Sequence, residues 1–99
     1  MKIPFADKKN DMILICEENN IVLLGIFGSF ARGEAVENSD VDLLVRFSKS
    51  KSLLELVRIE RIFSELLGKK VDLLTEASIS PYLKDRIQAE VKLYYEKTG

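Results

Sequence analysis

Gly28-Ser29-Phe30-Ala31-Arg32-Gly33-Glu34-Ala35-Val36-Glu37-Asn38-Ser39-Asp40-Val41-Asp42-Leu43-Leu44-Val45 is the run on which the reading of this chain turns. Its second half alternates. Val41, Leu43, Val45 and Phe47 point one way, and Asp40, Asp42, Leu44 and Arg46 point the other, which predicts a strand over Val41–Phe47. Residues two apart in a strand share a face, with Cα atoms about 7 Å apart. Two carboxylates so placed can converge on cations in front of the sheet, and a pair can bridge two divalent ions about 3.5–4 Å apart. Mg²⁺ suits such a site, because it takes one or two carboxylates together with waters and substrate phosphates. An isolated Asp-x-Asp also fits a merely polar strand end.

The first half of the run supplies a different chemistry. Ile21–Phe27 is a continuous apolar stretch bounded by Asn19-Asn20 and Gly28-Ser29, which reads as a buried strand. Small residues at a strand end let backbone N–H groups approach phosphate oxygens, and the Ser29 hydroxyl adds a donor. Arg32 can offer a planar fork to phosphate. Gly-Ser alone also fits a plain tight turn. No Gly-Lys-Ser/Thr follows, so this is not a Walker A loop. Farther on, Val71-Asp72-Leu73-Leu74 echoes Val41-Asp42-Leu43-Leu44 and places a third carboxylate among apolar residues. Buried there, it would need a partner or a metal. Asp72 reads either as a third member of the acidic cluster, a metal ligand or a general base for an attacking hydroxyl, or as an exposed Asp at a strand start.

Outward from these motifs, residues 7–19 read as a helix with Asp7 as cap, Met12, Ile13, Ile15 and Cys16 on one side, and Asn19-Asn20 as the stop. Residues 30–39 read as a polar connection with a short helical turn near its start. Ser52-Leu53-Leu54-Glu55 is a capping box, and the helix that follows carries Leu56, Ile59, Phe63 and Leu66 before Gly68. Val71–Thr75 is a short strand. Ser80-Pro81 opens a last helix that places Tyr82, Leu83, Ile87 and Val91 on its buried side. Residues 91–95 fit either its continuation or a final strand. The order is αβ(α)βαβα with an optional last β. The fold class is therefore α/β (α+β), a single small mixed sheet flanked by helices.

Composition narrows the chemistry. The chain has 99 residues, 46% apolar, with 15 Lys and Arg against 16 Asp and Glu, a net charge of −1, no His and one Cys. One globular domain over residues 1–99 is expected. The charge balance argues against strong nucleic-acid binding, which needs excess Lys and Arg. The absence of His excludes a Ser-His-Asp site and any His-ligated zinc. Carboxylates are then the natural general bases. The lone Cys16 forbids an internal disulfide and reads as core, in keeping with a reducing interior. The longest apolar stretch, Ile21–Phe27, is far shorter than the roughly 20 residues that span a bilayer. A cytoplasmic location with no membrane contact is expected.

Taken together, Gly28-Ser29, a ten-residue gap, and Asp40-x-Asp42 on a strand strongly resemble the nucleotidyltransferase motif of the DNA polymerase β-like superfamily. The form Gly-Ser-x-Ala-Arg-Gly … Ser-Asp-x-Asp-Leu-x-Val, in so short a chain, resembles the minimal nucleotidyltransferase (MNT) group. The resemblance implies the polymerase β-like fold. It implies that Gly28 and Ser29 hold a nucleotide triphosphate and that Arg32 sits near the phosphates. Asp40 and Asp42 would coordinate two Mg²⁺ ions, with Asp72 completing the triad and helping to activate the acceptor hydroxyl. MNT proteins of this size resemble antitoxins paired with helical HEPN ribonuclease toxins, so the resemblance implies AMP transfer from ATP to a toxin tyrosine. Two other readings stand beside it: masking of a HEPN partner without catalysis, and nucleotidyl transfer to a small-molecule hydroxyl. The base, the partner contacts and the oligomeric state, a homo-oligomer included, stay open at this level. The shortness of the chain argues that the acceptor itself completes the nucleotide cleft.

Overall fold

Ile21–Phe27 forms β1 and Val41–Phe47 forms β2, with the bounds that the apolar run and the alternation predict. Val71–Thr75 forms β3 and Lys92–Glu96 forms β4. The computed structural model describes residues 3–97. The four strands make one sheet in the order β3-β2-β1-β4, in which β1 runs antiparallel to β2 and β4 while β2 and β3 are parallel. The sheet is thus mixed. Residues 92–96 are strand rather than helix, because β1 would otherwise be left with an unpaired edge. Tyr94 is buried there, and its hydroxyl donates to the Pro4 carbonyl.

Among the described residues four α-helices accompany the sheet: α1 (Lys9–Glu18), α2 (Gly28–Arg32), α3 (Leu53–Leu67) and α4 (Pro81–Glu90). The Ser52 capping box forms in full, each partner accepting from the other's N–H at 3.2 Å, and Gly68 ends α3 at φ +68°. Asp7 does not cap α1. It lies in a 3-10 turn over Ala6–Lys8, and α1 starts with no side-chain cap. The stop is as expected: the Asn19 amide donates to the Ile15 carbonyl at 2.8 Å, and Asn20 turns left-handed at φ +60°. The helical turn expected in the 30–39 connection starts earlier, at Gly28, directly on the end of β1.

Alternation in β2 sorts residues onto two faces. Val41, Leu43 and Val45 join Met12 of α1 with Ile59 and Phe63 of α3 in the main core, all fully buried. Leu44 joins Leu23, Phe27 and Ile87 of α4 in a second, smaller cluster on the opposite face. The helix α4 carries the chain from β3 at one sheet edge to β4 at the other. It covers the second face thinly. Ile87 is its only buried residue, whereas Tyr82 is 95% and Leu83 48% exposed, against the burial expected for both. The three sheet residues of the second cluster, Leu23, Phe27 and Leu44, cannot shield a whole helix side, so the first turn of α4 stands in solvent.

Gly25 lies at the centre of β1, where the pairing with β4 shifts register. A Cβ there would fall 2.6 Å from the Val91 Cγ2 and 3.2 Å from the Lys92 carbonyl oxygen. The missing side chain lets the α4–β4 junction close onto the sheet. Gly25→Ala should overpack this junction at a cost of about 1–3 kcal/mol. Each kcal/mol lowers the thermal midpoint by about 4–8 °C in a domain of this size. Circular dichroism melting checks this, and an unchanged midpoint would show that β4 does not press on β1 at Gly25.

Candidate active site

The backbone at the end of β1 sets the geometry. Gly28 adopts φ +73°, a left-handed conformation that L side chains resist at about 1–2 kcal/mol, and the chain turns there into α2. A second left-handed glycine, Gly33 at φ +73°, ends that helix. Antiparallel register places Phe27 opposite Asp42, and parallel register places Asp42 beside Asp72. Partners in register share a face, so both carboxylates stand on the side that α4 crosses. Gly28 and Asp42 fit together closely. A Cβ on Gly28 would lie 2.3 Å from the Asp42 Oδ2, so the carboxylate fills the place a side chain would take.

A cavity of about 310 Å³ opens at this point. Phe27, Gly28, Ser29, Arg32 and Asp42 form one wall, and Leu83, Arg86, Ile87 and Glu90 of α4 form the other. Four of the six residues singled out in the sequence therefore meet at one cavity. The other two do not line it. Asp72 flanks Asp42 from the neighbouring strand, and Asp40 lies just before β2 with its carboxylate 3.8 Å from the Lys70 Nζ at the surface. A larger cavity of about 640 Å³ lies at the far end of β2, around Phe47, Lys51 and Thr75, and holds none of the six.

Glu90 escapes the sequence reading. One of its oxygens accepts from the Gly28 N–H at 3.1 Å, and the other accepts from the Arg32 Nη1 at 3.1 Å. Arg32 also donates through Nε to Glu34 at 2.8 Å. These hydrogen bonds, that of Glu34 first, hold the guanidinium protonated more firmly than in an ordinary arginine. Glu90 stands 62 residues from Gly28 along the chain, and in the pattern of α4 it reads as one more surface carboxylate. Arg86 was likewise silent in the sequence. Only the path of α4 across the sheet brings either residue to the cavity. Cys16 plays no part, since burial chiefly, and Glu17 next, push its thiol up to about 12.

Asp42 carries the electrostatic tension of the site. Burial first, then the charges of Asp72 and Asp40, hold its carboxyl above the ordinary 3.8, while Arg32 pulls the other way. A cation in front of β2 would relieve this repulsion. The donor set is all carboxylate oxygen, which is hard and suits Mg²⁺. Among the described residues no three acidic side chains stand close enough to share one ion. A Mg²⁺ site needs no such cage, because one or two carboxylates suffice when substrate phosphates supply further oxygens. The residues present therefore fit the ion by donor chemistry; Asp42 lines the cavity, and the Asp40 carboxylate lies beside Lys70.

The chain belongs to the nucleotidyltransferase domain family, which it matches over residues 10–94, and it is a nucleotidyltransferase. It is 50% identical over 82 residues, 83% of its own length and 88% of the relative's, to a Methanocaldococcus jannaschii protein provisionally named a protein adenylyltransferase. Its fold matches that of a chain in the crystal structure of a toxin–antitoxin with AMP-PNP, at TM-score 0.78 and 23% identity, covering 91% of this chain and 74% of that one. It also matches a chain in the structure of a tri-AMPylated Shewanella oneidensis HEPN toxin in complex with its MNT antitoxin. There the TM-score is 0.70 at 20% identity, covering 91% of this chain and 71% of that one. The polymerase β-like fold of the minimal nucleotidyltransferases is thereby established. No helix among the described residues is long and apolar enough to cross a membrane.

The strain on Asp42 has a measurable sign. An acid whose folded pKa lies above its unfolded value opposes folding once the pH exceeds the unfolded value. At pH 7 without metal, Asp42→Asn should therefore raise the thermal midpoint over the wild type. The gain should shrink as the pH falls through the raised folded value toward 3.8 and vanish below it, where Asp42 is protonated in both the folded and the unfolded chain. Melts at pH 7 and near pH 4 check the trend, and a destabilised variant at pH 7 would contradict it.

Proposed function

We propose that this protein transfers AMP from ATP to a tyrosine hydroxyl of a HEPN-type toxin with the help of Mg²⁺, and so acts as an antitoxin. The observation that carries the reading is the meeting of Gly28, Ser29, Arg32 and Asp42 at one cavity, with Asp72 in register beside Asp42. The provisional name of the M. jannaschii relative and the AMPylated toxin in the S. oneidensis complex support the choice of AMP and of a protein acceptor.

Each residue has a task in this reading. The Gly28 N–H and the Ser29 hydroxyl orient the triphosphate, and no hydrogen bond of the Ser29 side chain competes among the described residues. Arg32 neutralises phosphate charge. Asp40 and Asp42 would hold Mg²⁺, which when bound supplies positive charge to the phosphates in flight. Asp72 takes the proton of the acceptor hydroxyl. The acceptor oxygen then forms a bond to the α-phosphorus in line with the α–β bridging oxygen, that bond breaks, and pyrophosphate leaves. Positioning and electrostatics are what such a transfer chiefly demands, and neither His nor a reactive thiol is required.

The shape of the site favours a macromolecular acceptor. The cavity is walled on one side by a helix whose Leu83 is half exposed and whose Tyr82 is almost wholly so. Nothing in the described residues closes over it. A protein laid against α4 would exclude water from the reacting groups, which a small hydroxyl compound could not do.

Incubation with the partner toxin, ATP and Mg²⁺ should raise the toxin mass by whole AMP units, with the adduct on tyrosine. Asp40→Ala combined with Asp42→Ala should slow the transfer by about a hundredfold or more, the scale of losing a charge-stabilising group. Intact mass spectrometry and peptide mapping decide. Neutralisation of the toxin that survives the double substitution would favour masking, and an unmodified toxin in a formed complex would sink the transferase reading.

A further inference from the structure

We propose that Glu90 occupies the phosphate-binding groups of the nucleotide site in the free protein and sets nucleotide affinity by being displaced from them. This inference rests on the nucleotide site proposed above and adds a residue to it. Two groups assigned there to phosphate, the Gly28 N–H and the Arg32 guanidinium, are both taken by one side chain. Glu90 Oε1 accepts from the Gly28 N–H at 3.1 Å and from the Arg32 Nη1 at 3.4 Å, while Oε2 accepts from Nη1 at 3.1 Å. A carboxylate offers two anionic oxygens to such donors much as one edge of a phosphate does. The Gly28 N–H is a single donor, and on Arg32 both oxygens of Glu90 fall on the same nitrogen, Nη1, while Nε is already taken by Glu34. Glu90 and a nucleotide phosphate therefore compete for the same two groups.

The surroundings separate Glu90 from an ordinary surface ion pair. Its side chain is 17% exposed, whereas that of Glu34, the other partner of Arg32, is 59% exposed and makes no bond to Gly28. Glu90 also sits on a wall of the same cavity as Asp42, where it adds to the negative charge that Asp42 already bears. Its own helix gives it no support. Glu90 is the last residue of α4, and a negative charge at a helix C-terminus meets the negative end of the helix dipole. What holds Glu90 in place is thus the pair of donors that the nucleotide also needs. Release asks only for a change of its side-chain rotamer at the end of α4. Arg86, one turn earlier on the same wall of the cavity, then faces the incoming phosphates.

A structural clamp would make the opposite prediction, because breaking it would loosen the wall of the site and weaken binding. The test is calorimetric titration of wild type, Glu90→Gln, Glu90→Ala and Glu34→Gln with a non-hydrolysable ATP analogue and Mg²⁺, each protein first shown to be folded by circular dichroism. Glu90→Gln keeps the volume and removes the charge, so it decides the matter if Glu90→Ala does not fold. Both Glu90 variants should bind about tenfold more tightly than wild type, the scale of one charge-assisted hydrogen bond no longer competed for. Glu34→Gln should stay within about threefold, as expected for an exposed ion pair. Binding by the Glu90 variants alone, with none by wild type, would also support the proposal. Equal or weaker binding by folded Glu90 variants beside a binding wild type overturns it and leaves the nucleotide site standing. So does a Glu34→Gln gain as large as that of Glu90→Gln, which would reduce the effect to net charge. Absence of binding by every folded variant removes the nucleotide site itself, and this inference with it.

Discussion

A carboxylate packed into the space where residue 28 has no side chain is the contact on which this site depends. Asp42 can stand against the end of β1 only because Gly28 lacks a Cβ and accepts a left-handed turn. The same turn aims the first N–H of α2 at the cavity and brings Ser29 and Arg32 to its wall. One glycine thereby couples the acidic part of the candidate site to the turn that carries Ser29 and Arg32. Any larger residue would move Asp42 and the backbone N–H together.

The sheet supplies what this contact requires. Parallel pairing of β2 and β3 brings Asp42 and Asp72 side by side, and α3 is the crossover that makes parallel pairing feasible. Its capping box and terminal glycine fix its length, so β3 enters the sheet in the register that matches the two Val-Asp-Leu-Leu segments. Apolar residues on the other face of β2 anchor the strand in the main core. The cost is a cluster of like charges in a partly desolvated place, which raises the Asp42 carboxyl above its ordinary range. Such tension is common at functional sites.

The second face is less complete. The helix α4 spans it from edge to edge on little more than Ile87 and its neighbours. Thin packing leaves Tyr82 and Leu83 in solvent and a cavity beside them. An acceptor protein docked on this side would finish what the chain leaves open, which agrees with the proposed transfer to a toxin. The same helix brings Glu90 onto the groups that a phosphate would use.

Much was legible in the sequence because it is local. Alternation fixed β2, the apolar run fixed β1, and Ser52 with Glu55 fixed the start of α3, each through neighbours only a few residues away. The Gly-Ser and Asp-x-Asp spacing pointed to a candidate site for the same reason. Asp7 misled because a capping residue type precedes a helix without bonding to it. Tyr82 and Leu83 misled because their spacing suits a buried face that the second cluster is too small to cover. The choice between helix and strand at 91–95 depended on whether β1 had a free edge, which no local pattern records. Glu90 and Arg86 reach the cavity only through the path of α4 between opposite edges of the sheet. The sequence by itself thus determined the elements and the chemistry they carry, since backbone preference and side-chain type are short-range properties. Tertiary structure decided which distant carboxylates meet, because strand order and register join residues that the chain keeps thirty or sixty positions apart.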